Sequence, residues 1–105
     1  MSENDVLRQV YAVVVDRKEH PVEGSYTNYL LDRGIDKILK KVGEETTEVV
    51  IAGKNPGKEE VTFEICDLLY HLMVLMVEKG VTWDEIEEEL AGRHTKKQLE
   101  RKYKS

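Results

Sequence analysis

Two pairs of acidic residues at helical spacing are the residues of this chain best suited to chemistry. Glu45 and Glu48 form the first pair, and Glu64 and Asp67 form the second. Residues three apart lie on one face of a helix, so each pair can direct both carboxylates to one point. Buried carboxylates repel one another and take up protons unless a cation holds them. The two pairs therefore predict a divalent metal site between two helices.

The alternative is that these acids mark an ordinary solvated helix face. Between residues 61 and 77, however, the only acidic, basic or imidazole side chains are Glu64, Asp67 and His71. This helix is apolar nearly all round and must be covered on several sides, which a chain of 105 residues can hardly do alone. We expect a helix bundle completed by homo-oligomerisation, as a homodimer or a larger assembly, with the acidic stripe facing a cleft.

Basic residues precede the first acid pair by one or two helical turns. Lys37 and Lys41 fall on the same side of the predicted helix as Glu44, Glu45 and Glu48. Lysine suits phosphate, and carboxylate oxygens suit Mg²⁺ or Mn²⁺, which commonly bind substrate phosphates as well. The combination predicts metal-assisted cleavage of a phosphoanhydride, in which a carboxylate orients or deprotonates the attacking water. The alternative for the lysines is ion pairing along the helix.

His71 follows Asp67 by one helical turn. It either packs as a satisfied histidine beside the helix or orients a metal ligand or a substrate. Di-iron bundles need a Glu-x-x-His pair from each of two helices, and the sequence contains none. The pattern therefore disfavours redox chemistry.

Four or five helices are predicted to position these residues. Their approximate ranges are 5–18, 26–32, 35–52, 58–79 and a last helix from 82 onward. Thr82 and Glu85 have the spacing of a capping box at the start of the last helix. Leu39, Val50 and Ile51 are expected among the buried positions of the helix over 35–52. No period-2 pattern is sustained, so the predicted fold class is all-α.

Composition indicates one helix-rich domain over residues 1–105. Hydrophobic residues make up 40% and charged residues 35%, which excludes general disorder. The net charge is −5, and only a tail at about 95–105 is basic, which argues against a nucleic-acid partner.

Cysteine content and apolar runs bear on the compartment. The single cysteine, Cys66, excludes an internal disulfide and a multi-thiolate zinc site, and its apolar neighbours predict that it is buried. The longest apolar run near the N-terminus, residues 11–15, is too short for a secretion signal or a membrane span. We expect a cytoplasmic protein without a membrane partner.

The spacing of the acids resembles the signature of the all-α nucleoside triphosphate pyrophosphatases, the MazG-like superfamily. The pattern reads Glu44-Glu45-x-x-Glu48, then 15 residues, then Glu64-x-x-Asp67. The segments 24–27, 40–45 and 67–72 closely resemble, in addition, the phosphoribosyl-ATP pyrophosphatases of histidine biosynthesis. The likeness spans about residues 24–93.

This resemblance implies Mg²⁺-dependent hydrolysis of phosphoribosyl-ATP at its α–β anhydride, the second step of histidine biosynthesis, with Mn²⁺ as a possible substitute. The implied products are phosphoribosyl-AMP and pyrophosphate. The implied metal ligands are Glu45, Glu48, Glu64 and Asp67, and the implied catalytic acids are Glu44 and Glu45, with Glu44 an extra ligand or the base. The implied substrate contacts are Ser25, Tyr26, Thr27, Lys40, Lys41, His71 and Arg93.

Two other functions fit parts of the same pattern. A housecleaning hydrolase of non-standard nucleoside triphosphates would use the same acids. A non-enzymatic helical dimerisation module would simply leave them solvated. Substrate preference separates the first from the main hypothesis, and neutral substitution of the acids would identify the second.

Overall fold

Five helices account for most of residues 5–93, the part of the chain that the computed structural model describes. They are α1 (Val6–Glu19), α2 (Tyr26–Arg33), α3 (Ile35–Lys54), α4 (Glu59–Lys79) and α5 (Trp83–Gly92). No strand occurs between residues 5 and 93, so the all-α prediction is confirmed. The basic tail predicted at about 95–105 lies outside the described residues. None of the described helices combines the length and apolar character that a membrane crossing requires.

Short polar side chains begin three of the helices, and a glycine ends another. Asp5 and Ser25 each accept a hydrogen bond from the backbone N–H three residues on, at 3.2 and 3.1 Å. Thr82 and Glu85 form the predicted capping box, with N···O distances of 3.1 and 2.9 Å. Gly80 ends α4 with a φ of 75°, a left-handed conformation that favours glycine. These local signals explain why the predicted helix ranges agree with the observed ones.

The long helices α3 and α4 make the most extensive interhelical contact in the described chain. Only residues 55–58 connect them, so they pack side by side and antiparallel. α1 packs against α4, and α2 contacts α1, α3 and α4. The core where these helices meet consists of Val14, Leu30, Ile38, Val74 and Val77. Full burial of such side chains contributes about 1.5–3 kcal/mol each to folding.

Several large apolar side chains of α3 and α4 are nevertheless exposed on the single chain. Leu39, Val50 and Ile51 are 47%, 64% and 53% exposed, so their predicted burial is wrong for this chain alone. On α4, Phe63 is 64% exposed. Cys66 is exposed as well, which contradicts its predicted burial, because it lies on a side of α4 that no other described helix covers.

An apolar groove of about 640 Å³ runs between α3, α4 and α5. Its lining includes Ile35, Leu39, Leu69, Leu72, Met76 and Trp83. We call this feature the apolar groove. Leu39 lines the groove and is also one of the exposed side chains described above, so the α3–α4 pair carries exposed apolar surface in and outside the groove.

Polar contacts with α1 hold α5, which contributes no buried side chain of its own. The Arg8 guanidinium pairs with Asp84 at 2.9 Å and with Glu87 at 2.5 Å. The Tyr11 hydroxyl donates a hydrogen bond to the carbonyl of Val81 at 2.7 Å. The last helix is therefore fixed at its N-terminal end and outside the main core.

Candidate metal and substrate site

The candidate site lies where α2 meets the antiparallel pair of α3 and α4. α3 contributes Glu45, and α4 contributes Asp67 and His71. One possible ligand atom from each of these three residues lies within 4.8 Å of the others. Glu45 is 9% exposed and His71 is 5% exposed, so the two helices bring these groups together beneath the surface. We call these three residues the central cluster.

The ring of His71 is fixed at both nitrogens. Nδ1 lies 2.8 Å from the backbone carbonyl of Asp67, and Nε2 lies 3.0 Å from the Tyr26 hydroxyl. A carbonyl oxygen can only accept, so Nδ1 carries the proton and Nε2 accepts the hydrogen bond of the phenol. His71 therefore ties α2 to α4 at the edge of the acidic cluster.

Lys41 supplies a positive charge next to the central cluster. Its Nζ lies 3.7 Å from Glu45 and 3.4 Å from Glu44. Partial burial opposes the charged form of Lys41, but Tyr26 and the two glutamates outweigh burial and raise its pKa. The ammonium group thus stays protonated while it faces the acids. The ion pairing considered as an alternative for this lysine is observed.

The second acid of each predicted pair lies at the rim of the central cluster. Glu48 is exposed and Glu64 is half-buried. Desolvation raises the pKa of Glu64, and the negative charges of Glu48, Asp67 and Glu45 raise it further. The four acids thus share one electrostatic neighbourhood, although only Glu45 and Asp67 belong to the tight group.

The donors of the central cluster fit a hard cation better than a soft one. Carboxylate oxygens are the ligands that Mg²⁺ and Mn²⁺ prefer. His71 is the nitrogen donor of the cluster, and its Nε2 already accepts from Tyr26. Glu45 and Asp67 can therefore hold a cation from two helices, with Glu48 and Glu64 close enough to feel its charge.

Ser25 and Thr27 position α2 rather than point freely into the site. Ser25 caps the helix, as described above. Thr27 is buried, and its hydroxyl is hydrogen-bonded to that of Tyr70 on α4. The two residues flank Tyr26 and hold it against His71.

Three other predicted site residues lie further out. Lys40 is exposed and makes no ion pair or hydrogen bond with a side chain of residues 5–93. Glu44, whose side chain is 50% exposed, reaches the site only through Lys41. Arg93 ends α5 and pairs with Glu89 at 2.8 Å, and no contact within the described residues links it to the acids.

An aromatic cluster beside the acids has members to which the sequence patterns assign no role. Tyr26 stacks with Tyr29 and with Tyr70, at ring-centroid distances of 6.1 and 6.3 Å. His71 meets Tyr26 edge-on at 5.7 Å. Tyr70 directly precedes His71 in the sequence, and this position is the signal that could have identified it. An open cavity of about 760 Å³ adjoins this cluster and is lined by residues 21–26, Asn28, Tyr29 and Asp32.

Comparison with known families bears directly on this arrangement. A family model described as phosphoribosyl-ATP pyrophosphohydrolase matches residues 7–94. The chain belongs to this family. The match of the phosphoribosyl-ATP pyrophosphohydrolase family runs from the second residue of α1 to beyond α5 and includes every residue of the central cluster.

Individual members of the phosphoribosyl-ATP pyrophosphohydrolase family are similar over most of the chain. The phosphoribosyl-ATP pyrophosphatase of Clostridium acetobutylicum is 55% identical over 91% of this chain and 87% of its own length. That of Lactiplantibacillus plantarum is 56% identical over 86% of this chain and 85% of its own. The histidine biosynthesis bifunctional protein HisIE of Caldanaerobacter subterraneus is 59% identical over 88% of this chain and 45% of its own. The chain therefore covers most of the length of two of these relatives and somewhat less than half of the bifunctional one.

Proposed function

We propose that this chain hydrolyses phosphoribosyl-ATP to phosphoribosyl-AMP and pyrophosphate, with Mg²⁺ or Mn²⁺ as the cofactor. The observation that carries the proposal is the meeting of Glu45 and Asp67 beside the charged Lys41, in a chain of this family. Acids that hold a cation next to a lysine suit a polyphosphate better than a bare ion. The names of the similar proteins support phosphoribosyl-ATP as the polyphosphate.

The acids would hold the metal ion from two helices. Glu45 and Asp67 are the central ligands, and Glu48 and Glu64 complete the set. When bound, Mg²⁺ neutralises charge on the phosphates and lowers the pKa of a coordinated water. The raised pKa of Glu64 agrees with this role, because crowded acids are relieved by a cation.

Lys41 and Glu44 would act on the reacting groups themselves. Lys41 binds the phosphates and stabilises the charge that builds up on them. Glu44 is open to water, and its carboxylate accepts the proton of the attacking water; Glu45 is the other candidate base. The water oxygen then bonds to the α-phosphorus, the bond to the bridging oxygen breaks, and pyrophosphate leaves. Lys40, one residue from Lys41, remains a proposed phosphate contact.

The wall of the substrate pocket would be formed by α2. Tyr26 faces the open cavity and is held by His71, while Ser25 and Thr27 fix the turn of helix that carries it. We propose that these residues shape the pocket around the nucleoside. Arg93 would reach substrate only if α5 moved or a second subunit brought it near.

The test is release of pyrophosphate from phosphoribosyl-ATP in the presence of Mg²⁺. Glu45→Gln and Asp67→Asn should each lower kcat about 100-fold or more, with helical content retained, because several kcal/mol of charge stabilisation are lost. Glu88→Gln removes an exposed acid of α5 and serves as the matched control. Unchanged hydrolysis in both site variants would show that these acids do not hold the metal ion, and a wild-type chain that releases no pyrophosphate would favour the dimerisation module. Faster turnover of a non-standard nucleoside triphosphate than of phosphoribosyl-ATP would favour the housecleaning hydrolase instead.

We also propose that the protein is a homodimer or a larger homo-oligomer in the cytoplasm, and that residues 1–105 form one domain. The exposed Leu39, Val50 and Phe63 support self-association, since apolar surface of this extent is uncommon on monomers. Sedimentation velocity tests the oligomer. Val50→Asp should dissociate it, whereas Val13→Asp, at another exposed valine, on α1, should not. A wild-type chain that sediments as a monomer at micromolar concentration would disprove the proposal.

A further inference from the structure

Two positive side chains share one aromatic ring at the junction of α2 and α3. The guanidinium carbon of Arg33 and the Nζ of Lys37 each lie 5.7 Å from the centre of the Tyr29 ring. Neither forms an ion pair within residues 5–93, although Asp32 and Asp36 are their neighbours in sequence. The ring offsets part of the repulsion between the two cations, but it carries no net charge. The two cations therefore have no anionic partner within residues 5–93.

This cationic pair is continuous with the candidate site. Tyr29 stacks with Tyr26, whose hydroxyl binds His71 of the central cluster. Lys37 also lies one turn before Lys41 on α3, on the same side of the helix. Along the helix axis, Lys37 and Glu45 are about 12 Å apart, from the rise per residue. The pair and the acids thus lie at opposite ends of one surface.

We propose that Arg33 and Lys37 bind the phosphate of the phosphoribosyl group, with Tyr29 as the residue that positions both cations. The inference rests on the proposed function, because phosphoribosyl-ATP carries two separated anionic groups. Its triphosphate is one, and the phosphate on the second ribose, at the far side of the purine, is the other. The acids, through their metal ion, and Lys41 would bind the triphosphate. Arg33 and Lys37 would bind the phosphate on the second ribose.

The chemistry of the pair suits a phosphate monoester. Arginine presents a planar fork of donors to phosphate oxygens, and lysine adds a mobile point charge. ATP has no phosphate at this position, so binding there would distinguish phosphoribosyl-ATP from ATP. A site built around a group rejects analogues that lack it, because its own polar atoms then lose their partner.

The first test is the Arg33→Gln, Lys37→Gln double variant, compared with Lys54→Gln, Lys58→Gln. The control removes the same charge from two exposed lysines, Lys54 at the C-terminal end of α3 and Lys58 just before α4. We expect KM for phosphoribosyl-ATP to rise about 10- to 100-fold in the first variant, as for lost hydrogen bonds to a charged group, with kcat nearly unchanged. An equal rise in both double variants would overturn the inference, because it would reflect net charge only. So would a loss confined to kcat.

The second test does not depend on turnover. Calorimetric titration with phosphoribosyl-AMP and with AMP, both with Mg²⁺, compares ligands that differ by the second ribose and its phosphate. The wild-type chain should prefer phosphoribosyl-AMP, and the Arg33→Gln, Lys37→Gln variant should lose that preference while it retains its affinity for AMP. Equal affinities of the wild-type chain for both ligands would overturn the inference. Failure to hydrolyse phosphoribosyl-ATP would instead disprove the proposed function, and the titration would still decide the subsite.

The third test measures the affinity for phosphoribosyl-AMP after substitution of Tyr29. Tyr29→Phe keeps the ring and should keep the preference for phosphoribosyl-AMP. Tyr29→Leu removes the ring and should weaken binding of phosphoribosyl-AMP about tenfold, since both cations lose their support. Equal affinities in the two variants would show that the ring does not position the cations.

Discussion

The hydrogen bond between the Tyr26 hydroxyl and His71 should contribute measurably to the free energy of unfolding. Tyr26→Phe removes one oxygen atom and leaves His71 Nε2 without its 3.0 Å partner. His71 is 5% exposed, so an unpaired acceptor there costs about 1–3 kcal/mol. Tyr26 itself is 46% exposed, so water can enter from its side and offset part of that cost. We expect a loss of about 1–2 kcal/mol in the free energy of unfolding.

Urea unfolding followed by circular dichroism measures this loss. The protein concentration must be held constant, because the stability of an oligomer depends on it. The midpoint should fall without a change in slope, which separates lost stability from a change in compactness. In thermal unfolding, each kcal/mol should correspond to about 4–8 °C.

Tyr29→Phe is the matched control for this prediction. Tyr29 is 42% exposed, and its hydroxyl has no partner within residues 5–93, so its removal should change stability by less than about 0.5 kcal/mol. Equal stabilities of Tyr26→Phe and Tyr29→Phe would refute the reasoning. They would mean that the His71 ring is satisfied without the phenol.

Three further predictions concern charge, core and cap. Since the pKa of Glu64 is raised by folding, the folded chain holds its proton more tightly, and stability falls as the pH rises from about 4.3 through that raised pKa. Glu64→Gln should therefore raise the melting temperature of the metal-free protein at pH 7 but not at pH 4; a gain of the same size at both pH values would contradict this. Leu30→Ala should cost about 2–5 kcal/mol in urea unfolding, because Leu30 is completely buried, whereas Leu90→Ala, at a 56% exposed position, should cost far less. Thr82→Ala removes the capping box and should speed amide exchange in α5 by about fivefold, corresponding to roughly 1 kcal/mol, with no change in α3.

Helix boundaries and the convergence of the acids were predictable because their signals are local. The capping box of Thr82 and Glu85 and the stop at Gly80 involve residues within four positions of one another. The facing of Glu45 and Asp67 follows from two amphipathic helices with a short connection. Such features need no knowledge of the remaining fold.

Contacts between distant segments were not predictable in this way. Thr27 and Tyr70 are 43 residues apart in sequence, and nothing near either one reveals the other as its partner. The burial of Leu39 was wrongly predicted for the single chain because periodicity shows that a helix face is apolar, not which molecule covers it. The burial of Cys66 was wrongly predicted for the same reason. The pairing of Arg33 and Lys37 over Tyr29 likewise depends on the turn between α2 and α3.

The attachment of α5 has a consequence for how the molecule unfolds. Because ion pairs of Arg8 and one hydrogen bond of Tyr11 hold this helix, high salt should loosen it while the core of the other helices stays intact. The chain has a single tryptophan, Trp83, and it is the first residue of α5. Because Trp83 lines the apolar groove, its fluorescence reports whether α5 stays packed against α3 and α4. An emission shift at lower urea than the loss of helical signal would identify α5 as a separately opening unit of the fold.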